Sequence, residues 1–299
     1  MQYRAFPYVF VLGIMLGGTL IASRFSVSQF DPITYVGLRL TIASVCFFMI
    51  YGFRIRAHSH LRGHNLWIHG FMLGVFGTAI PMVAMVSALQ YQSSGVAALL
   101  ITVNPALTVV MAHFVLADER LNFKKSAGVL LALSGAMLMV LRGETGLPEI
   151  GRANPVGYGL ILLALISWSG STIYTRKYVR DKNSTDIMSV RMFIAAIVVM
   201  PISLVLVGLD FSQVNAQGFF ALAYAALVGT FLGEWLNLYN IQQFGATTSA
   251  MTSYVLPIMA SLGGVLLLGE TITQGMLMGI ILIFVGIYLI SYRHTPVIS

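Results

Sequence analysis

Between about residue 8 and residue 292 the chain passes through ten apolar stretches. Each is close to the roughly 20 residues that a helix needs to cross the hydrocarbon core of a bilayer. Hydrocarbon offers no water to backbone N–H and C=O groups, so a spanning segment must satisfy them internally. The stretches predict helices over 8–24, 32–53, 66–89, 95–117, 124–141, 155–176, 186–208, 217–241, 247–268 and 273–292. The expected fold class is therefore an all-α integral membrane protein of ten transmembrane helices. Composition agrees, because 58% of residues are hydrophobic and 9% are Asp, Glu, Lys or Arg, where a soluble domain carries about 25% charged residues. Arg4, an apolar run and Ala22-Ser23 also resemble a secretory leader, but an internal repeat includes this stretch, so it is read as a retained helix.

Several function classes fall away. The longest polar connections, 54–65 and 142–154, are shorter than the roughly 50 residues of a small domain, so activity is expected inside the membrane. A net charge of +7 suggests nucleic acid, but the basic residues occupy short connections, where they set membrane orientation instead. Cys46 is the single cysteine, which excludes an intrachain disulfide and disfavours a metal–thiolate centre. No metal, cofactor or catalytic residue is expected. No G-x-x-x-x-G-K-[S/T] cradle is present, so transport would be secondary or facilitated.

Shifting the sequence by 152 positions pairs Gly18 with Gly170, Arg24 with Arg176, Arg39 with Arg191, Gly77-Thr78 with Gly229-Thr230, Gln90 with Gln242 and Pro105 with Pro257. Beyond the prolines an offset of 151 pairs Gly128 with Gly279 and Gly135 with Gly286, and sets Asp118-Glu119 opposite Gly269-Glu270. The expected organisation is a first five-helix repeat over 1–142, a linker over 143–153 and a second repeat over 154–299. Five is odd, so the second repeat enters from the opposite side and the repeats are inverted. Arg4, Arg54, Arg56, Arg62, Arg120, Lys124, Lys125, Arg176, Lys177, Arg180, Lys182 and Arg293 fall on one side; Arg24, Arg142 and Arg152 fall on the other. The positive-inside rule then puts both termini in the cytoplasm, in the cytoplasmic (inner) membrane. Inverted repeats can open a midplane site alternately to each face.

Leu16-Gly17-Gly18-Thr19, Trp168-Ser169-Gly170-Ser171, Arg39 and Arg191, and the segment from Tyr91 to Val140 carry a family likeness. Their order, found twice, resembles the EamA branch of the drug/metabolite transporter superfamily. In that family each half reads W-G in its first helix, Arg in its second, a Pro-bearing fourth helix rich in small residues, then G-E and a Gly-bearing fifth helix. Leu16 departs from the expected Trp, Ser169 from Gly, and Asp118 from the Gly of G-E. The resemblance implies an exporter of small metabolites, nearest to exporters of aromatic and other hydrophobic amino acids.

Cavity candidates are Met15, Met82, Asn104, Trp168, Ser171, Tyr239 and Tyr254. Trp168, Ser171, Thr172 and Thr175 recur at helical spacing, and so do Ser249, Thr252, Ser253 and Leu256. Such faces either line a site for a small amphipathic solute or bond the preceding turn of their own helix. Pro105, after Asn104, and Pro257, after Leu256, are candidate hinges, because proline frees a carbonyl and kinks a helix. Glu234, mid-span with Asn237 one turn on, is a candidate proton or ammonium site, with structural pairing as the alternative. Its repeat partner is Met82. His113 is a weaker functional candidate, and Arg39 and Arg191 are expected to act as structural clamps. Gly13-x-x-x-Gly17, Gly70-x-x-x-Gly74, Gly229-x-x-x-Gly233 and Gly275-x-x-x-Gly279 predict close helix packing.

The functional expectation is an exporter of small neutral or hydrophobic amino acids and related metabolites, read as a monomer whose partners are its solute and the bilayer. Export of other metabolites or drugs is the alternative. A membrane-embedded enzyme lacks H-E-x-x-H or a Ser-His-Asp set, and a channel lacks rings of charge.

Overall fold

The computed structural model describes residues 5–54, 64–116, 121–150, 154–179, 184–244 and 251–291. These form helices and connections, with no strand among the described residues. In chain order the helices are α1 (Phe6–Ser26), α2 (Pro32–Arg54), α3 (His64–Gly74 continued through Val75–Ala79 and Ile80–Ala88), α4 (Ser94–Ile101) and α5 (Asn104–Val115). They continue with α6 (Phe123–Arg142), α7 (Pro155–Tyr178), α8 (Ser184–Leu206), α9 (Ala216–Ala223 continued through Tyr224–Leu232 and Gly233–Phe244), α10 (Thr252–Leu268) and α11 (Gln274–Ser291). Among the described residues eight spans are long and apolar enough to cross a membrane, counting α4 with α5 as one; α10 and α11 are shorter apolar helices. Arg4, Arg56, Arg62, Asp118, Glu119, Arg120, Arg152, Arg180, Lys182, Ser249 and Arg293 lie outside the described residues.

The predicted fourth span is divided. Its helix stops at Ile101, turns through Thr102 and Val103, and restarts at Asn104. Pro105 has no N–H for the helical ladder, and its ring opposes the carbonyl one turn back. Pro257 is buried inside α10 without a comparable break. Two spans carry π-helical segments, Val75–Ala79 in α3 and Tyr224–Leu232 in α9. Thr78 Oγ1 donates to Leu73 O at 3.2 Å and Thr230 Oγ1 to Ala225 O at 3.0 Å, in both cases five residues back.

Close backbone approach holds the helices together where lipid supplies no hydrophobic force between them. A Cβ on Gly135 would lie 2.8 Å from Gly279 O, and one on Gly128 would lie 2.6 Å from Gly286 O, so α6 and α11 meet backbone to backbone. Gly13 and Gly17 bring α1 against α10 at Val255 and Met259, and Gly70 and Gly74 bring α3 against α8 at Val190 and Ile194. These glycines are packing surfaces, as their spacing predicts.

Gly135→Val is expected to force α6 from α11 and to destabilise the protein by about 1–3 kcal/mol. Gly159→Ala, where no atom lies within 4 Å of the added carbon, is expected to be neutral. Thermal unfolding of the two variants in detergent, against the parent, measures the contrast.

Candidate functional site

Two arginines cross between the halves. Arg39 on α2 donates from Nε to Thr230 Oγ1 on α9 at 2.5 Å, and Arg191 on α8 donates from Nε to Thr78 Oγ1 on α3 at 2.5 Å. Both acceptors sit in π-helical segments, whose wider turn leaves each threonine hydroxyl able to serve its own helix and a foreign arginine. The glycine before each threonine makes room for the same neighbour in each half. A Cβ on Gly77 would strike Ser171 Oγ, and one on Gly229 would strike Thr19 Oγ1; Thr19 and Ser171 are themselves 152 positions apart.

The two arginines differ beyond that bond. Arg191 Nη2 donates to Gly77 O at 3.0 Å, and its Nη1 contacts Met188 Sδ at 3.9 Å. Arg39 Nη1 lies 3.4 Å from Ser23 Oγ, which in turn lies 3.4 Å from the Tyr35 hydroxyl. An arginine at the centre of a spanning helix costs about 2.5–3.5 kcal/mol on insertion scales. Neutral hydroxyls offset only part of that.

A second polar group lies at the divided span. Asn104 Oδ1 accepts from Ser169 Oγ at 2.8 Å, and the Asn104 carbonyl accepts from Thr108 Oγ1 at 2.9 Å, so the restart of α5 is tied to α7. Trp168, the neighbour of Ser169, is partly buried against the main core, as is Met82. Ser171 rests on Gly77. Asn104 and Ser171 thus lie at the seam of α7 with α5 and α3. Met15 is partly buried on α1, its carbonyl held by Thr19 Oγ1 at 2.7 Å.

Other candidates make aromatic or local contacts. Tyr239 is 37% exposed and belongs to an aromatic cluster, 5.6 Å from Tyr8 and 6.2 Å from Phe244. Tyr254 packs edge-on to Phe284 of α11 at 5.2 Å. Thr172 bonds its own helix at Trp168 O, and His113 is exposed, accepting from the Leu121 amide at 3.3 Å. Among the described residues no group of His, Cys, Asp or Glu could hold a metal ion.

Sequence reasoning gave no role to Ser23, Tyr35, Thr78, Thr230, Ser94 or Glu270. The Gly-Thr pairs were visible in the repeat, but a π segment has no compositional mark. Glu270 is 6% exposed and accepts from Ser94 N at 2.7 Å, Ser94 Oγ at 2.8 Å and Gly95 N at 3.3 Å, which caps α4 from the far half of the chain. Beside it, Ser93 N donates to Thr145 O at 2.8 Å and Thr271 N to Gly146 O at 2.9 Å. At this end of the bundle a polar network therefore joins both halves.

The family model of the EamA-like transporter family matches twice, over residues 4–141 and 155–292. The chain is 28% identical over 204 residues to a probable amino-acid metabolite efflux pump of Salmonella typhimurium strain LT2, covering 66% of this chain and 67% of that protein. It is 25% identical over 277 residues to an uncharacterized inner membrane transporter, YedA, of Escherichia coli strain K12, covering 90% and 84%. A protein of known crystal structure superposes with a TM-score of 0.66 at 20% identity, over 97% of this chain and 96% of that one, which supports the fold alone.

Glu270→Ala is expected to leave buried Ser94 and Gly95 donors unsatisfied at about 1–3 kcal/mol for each lost partner. The checkable outcome is a lower unfolding temperature in detergent, with Glu270→Gln recovering part of the loss.

Proposed function

The chain belongs to the EamA-like transporter family, and on that premise we propose that it exports small neutral or hydrophobic amino acids and related metabolites by alternating access. In this reading ten spans form two inverted repeats, 1–142 and 154–299, joined by 143–153. Both termini face the cytoplasm, and the protein works as a monomer in the inner membrane. Transport, not catalysis, is the activity, and its energy comes from a gradient.

The observation that carries the reading is the reciprocal pair of clamps, Arg39 to Thr230 and Arg191 to Thr78. Each half grips the π segment of the other at an equivalent position, so the shared seam is built from interchangeable contacts. Exchange of shape between inverted halves then opens a site between them to one face and closes it to the other. The names of the Salmonella and Escherichia coli relatives support efflux and an inner-membrane location.

The proposed cavity lies between the spans that carry Met15, Met82, Asn104, Trp168 and Ser171, with Tyr239 and Tyr254 nearer its ends. Trp168 supplies apolar surface for the solute, while Asn104 and Ser171 supply neutral polar groups. Pro105 acts as the hinge of the fourth span, because the break at Thr102 and Val103 is already formed there. Pro257 is the corresponding hinge of α10. Glu234 holds a proton or the ammonium of the solute.

Purified protein in liposomes loaded with labelled amino acids is expected to show saturable flux of hydrophobic members, and absence of flux across the set would reject this substrate class. Trp168→Ala is expected to raise the KM of that flux several-fold, roughly the effect of losing one good apolar contact. Glu234→Gln separates the two roles of that carboxylate. Lost dependence on a pH gradient with binding intact marks a proton carrier, and lost affinity for ammonium-bearing solutes marks a binding group.

A further inference from the structure

Arg39 and Arg191 stand at equivalent positions, yet their guanidinium groups are employed differently. Arg191 has partners along its whole fork, at Thr78, Gly77 O and Met188. Arg39 uses Nε on Thr230 and offers Nη1, at the long distance of 3.4 Å, to Ser23. Among the described residues Nη2 has no acceptor, and no carboxylate comes within ion-pair distance of the group. Arg39 keeps 8% of its surface open, and its nitrogens are not among the sealed polar atoms that lack a partner, unlike those of Gln92 and Asn240. The deeper arginine is thus the less satisfied one, and the unused end of its fork is not fully sealed.

A carboxylate accompanies Arg39 and not Arg191. Glu234 lies one turn past Thr230, the acceptor of Arg39, on the same helix α9, and no ion pair closes between Glu234 and Arg39 among the described residues. The residue equivalent to Glu234 is Met82, so nothing comparable stands near Arg191 at that register. A clamp needed only for folding would be served equally by both halves. The extra carboxylate, the open fork and the hydroxyls of Ser23 and Tyr35 all collect at one arginine.

We propose that Arg39 and Glu234 bind the two charged ends of a zwitterionic α-amino acid, the carboxylate on the open end of the Arg39 fork and the ammonium on Glu234. This assignment rests on the amino-acid transport reading and narrows it to solutes that carry both charges. An Arg–carboxylate contact is directional and charge-assisted. A zwitterion completes two partly paired protein charges without adding net charge to the membrane interior, where an unmatched charge is costly. Thr230 holds the other edge of the same guanidinium, and Glu234 lies on the helix that bears Thr230. Solute on this pair therefore pulls on the contact that joins the halves.

The test measures binding to the purified full-length protein by calorimetry with three probes: L-phenylalanine, its carboxamide, which lacks the carboxylate, and 3-phenylpropionate, which lacks the ammonium. The parent is expected to prefer phenylalanine to each analogue by about tenfold or more, since a buried polar group left unpaired penalises the analogue. Arg39→Gln is expected to bring the preference over the carboxamide to about twofold or less while keeping the preference over 3-phenylpropionate, and Glu234→Gln to do the reverse. Arg191→Gln is expected to keep both ratios. If Arg39→Gln does not fold, Arg39→Lys and the Glu234→Gln arm carry the test, because the readout is a ratio and not a level. Equal binding of all three probes by the parent, unchanged ratios in the Arg39 and Glu234 variants, or equal loss in Arg191→Gln would overturn the assignment. Liposome flux distinguishes the two failures: a parent that moves no amino acid fails the transport reading and this one with it. A parent that moves phenylalanine and its carboxamide alike fails this assignment alone.

Discussion

A guanidinium buried among apolar helices persists only where oxygen acceptors reach it, and in this chain each arginine finds its nearest acceptor on the opposite half. Thr230 and Thr78 can serve because their helices are widened into π turns at those points, so each hydroxyl reaches the carbonyl five residues back while accepting from a foreign Nε. The glycines at 77 and 229 follow from the same contact, since a side chain there would strike Ser171 or Thr19 and push the helices apart. Clamp, π turn and glycine are one device used twice. Without the arginines there is little reason for the wide turns; without the wide turns the arginines would lose their acceptors.

Much of this architecture was legible in sequence because lipid imposes simple rules. Span lengths, the repeat at 152 and the helix-packing glycines all follow from backbone satisfaction and close approach, which leave composition and spacing as their record. The divided fourth span was only half legible. Pro105 and Pro257 look alike, yet α4 and α5 separate while α10 continues, because Asn104 can bond Ser169 through its side chain and Thr108 through its carbonyl, whereas Leu256 brings no such group. Sequence offered Tyr254 as a cavity candidate but could not say which neighbour it meets, and its ring lies against Phe284. Glu270 was visible only as a counterpart of Glu119. Its role at Ser94 and Gly95 depends on a contact 176 residues distant in sequence.

Equivalence between the halves is most informative where it fails. Ser169 and Asn104 join α7 to α5 through side-chain hydrogen bonds, next to the turn at Thr102 and Val103. The residues 152 positions away, Gly17 and Leu256, join α1 to α10 by backbone proximity. A Cβ on Gly17 would lie 3.0 Å from Leu256 O and 2.8 Å from Met259 Cβ. One seam is tight, with backbone against backbone at Gly17. The other is spaced by side chains whose hydrogen bonds can be exchanged for bonds to water or to a solute at little net cost. Asn104, Ser169 and Glu234 stand opposite Leu256, Gly17 and Met82, so polar groups without a polar equivalent give different chemistry to two halves that share one backbone plan.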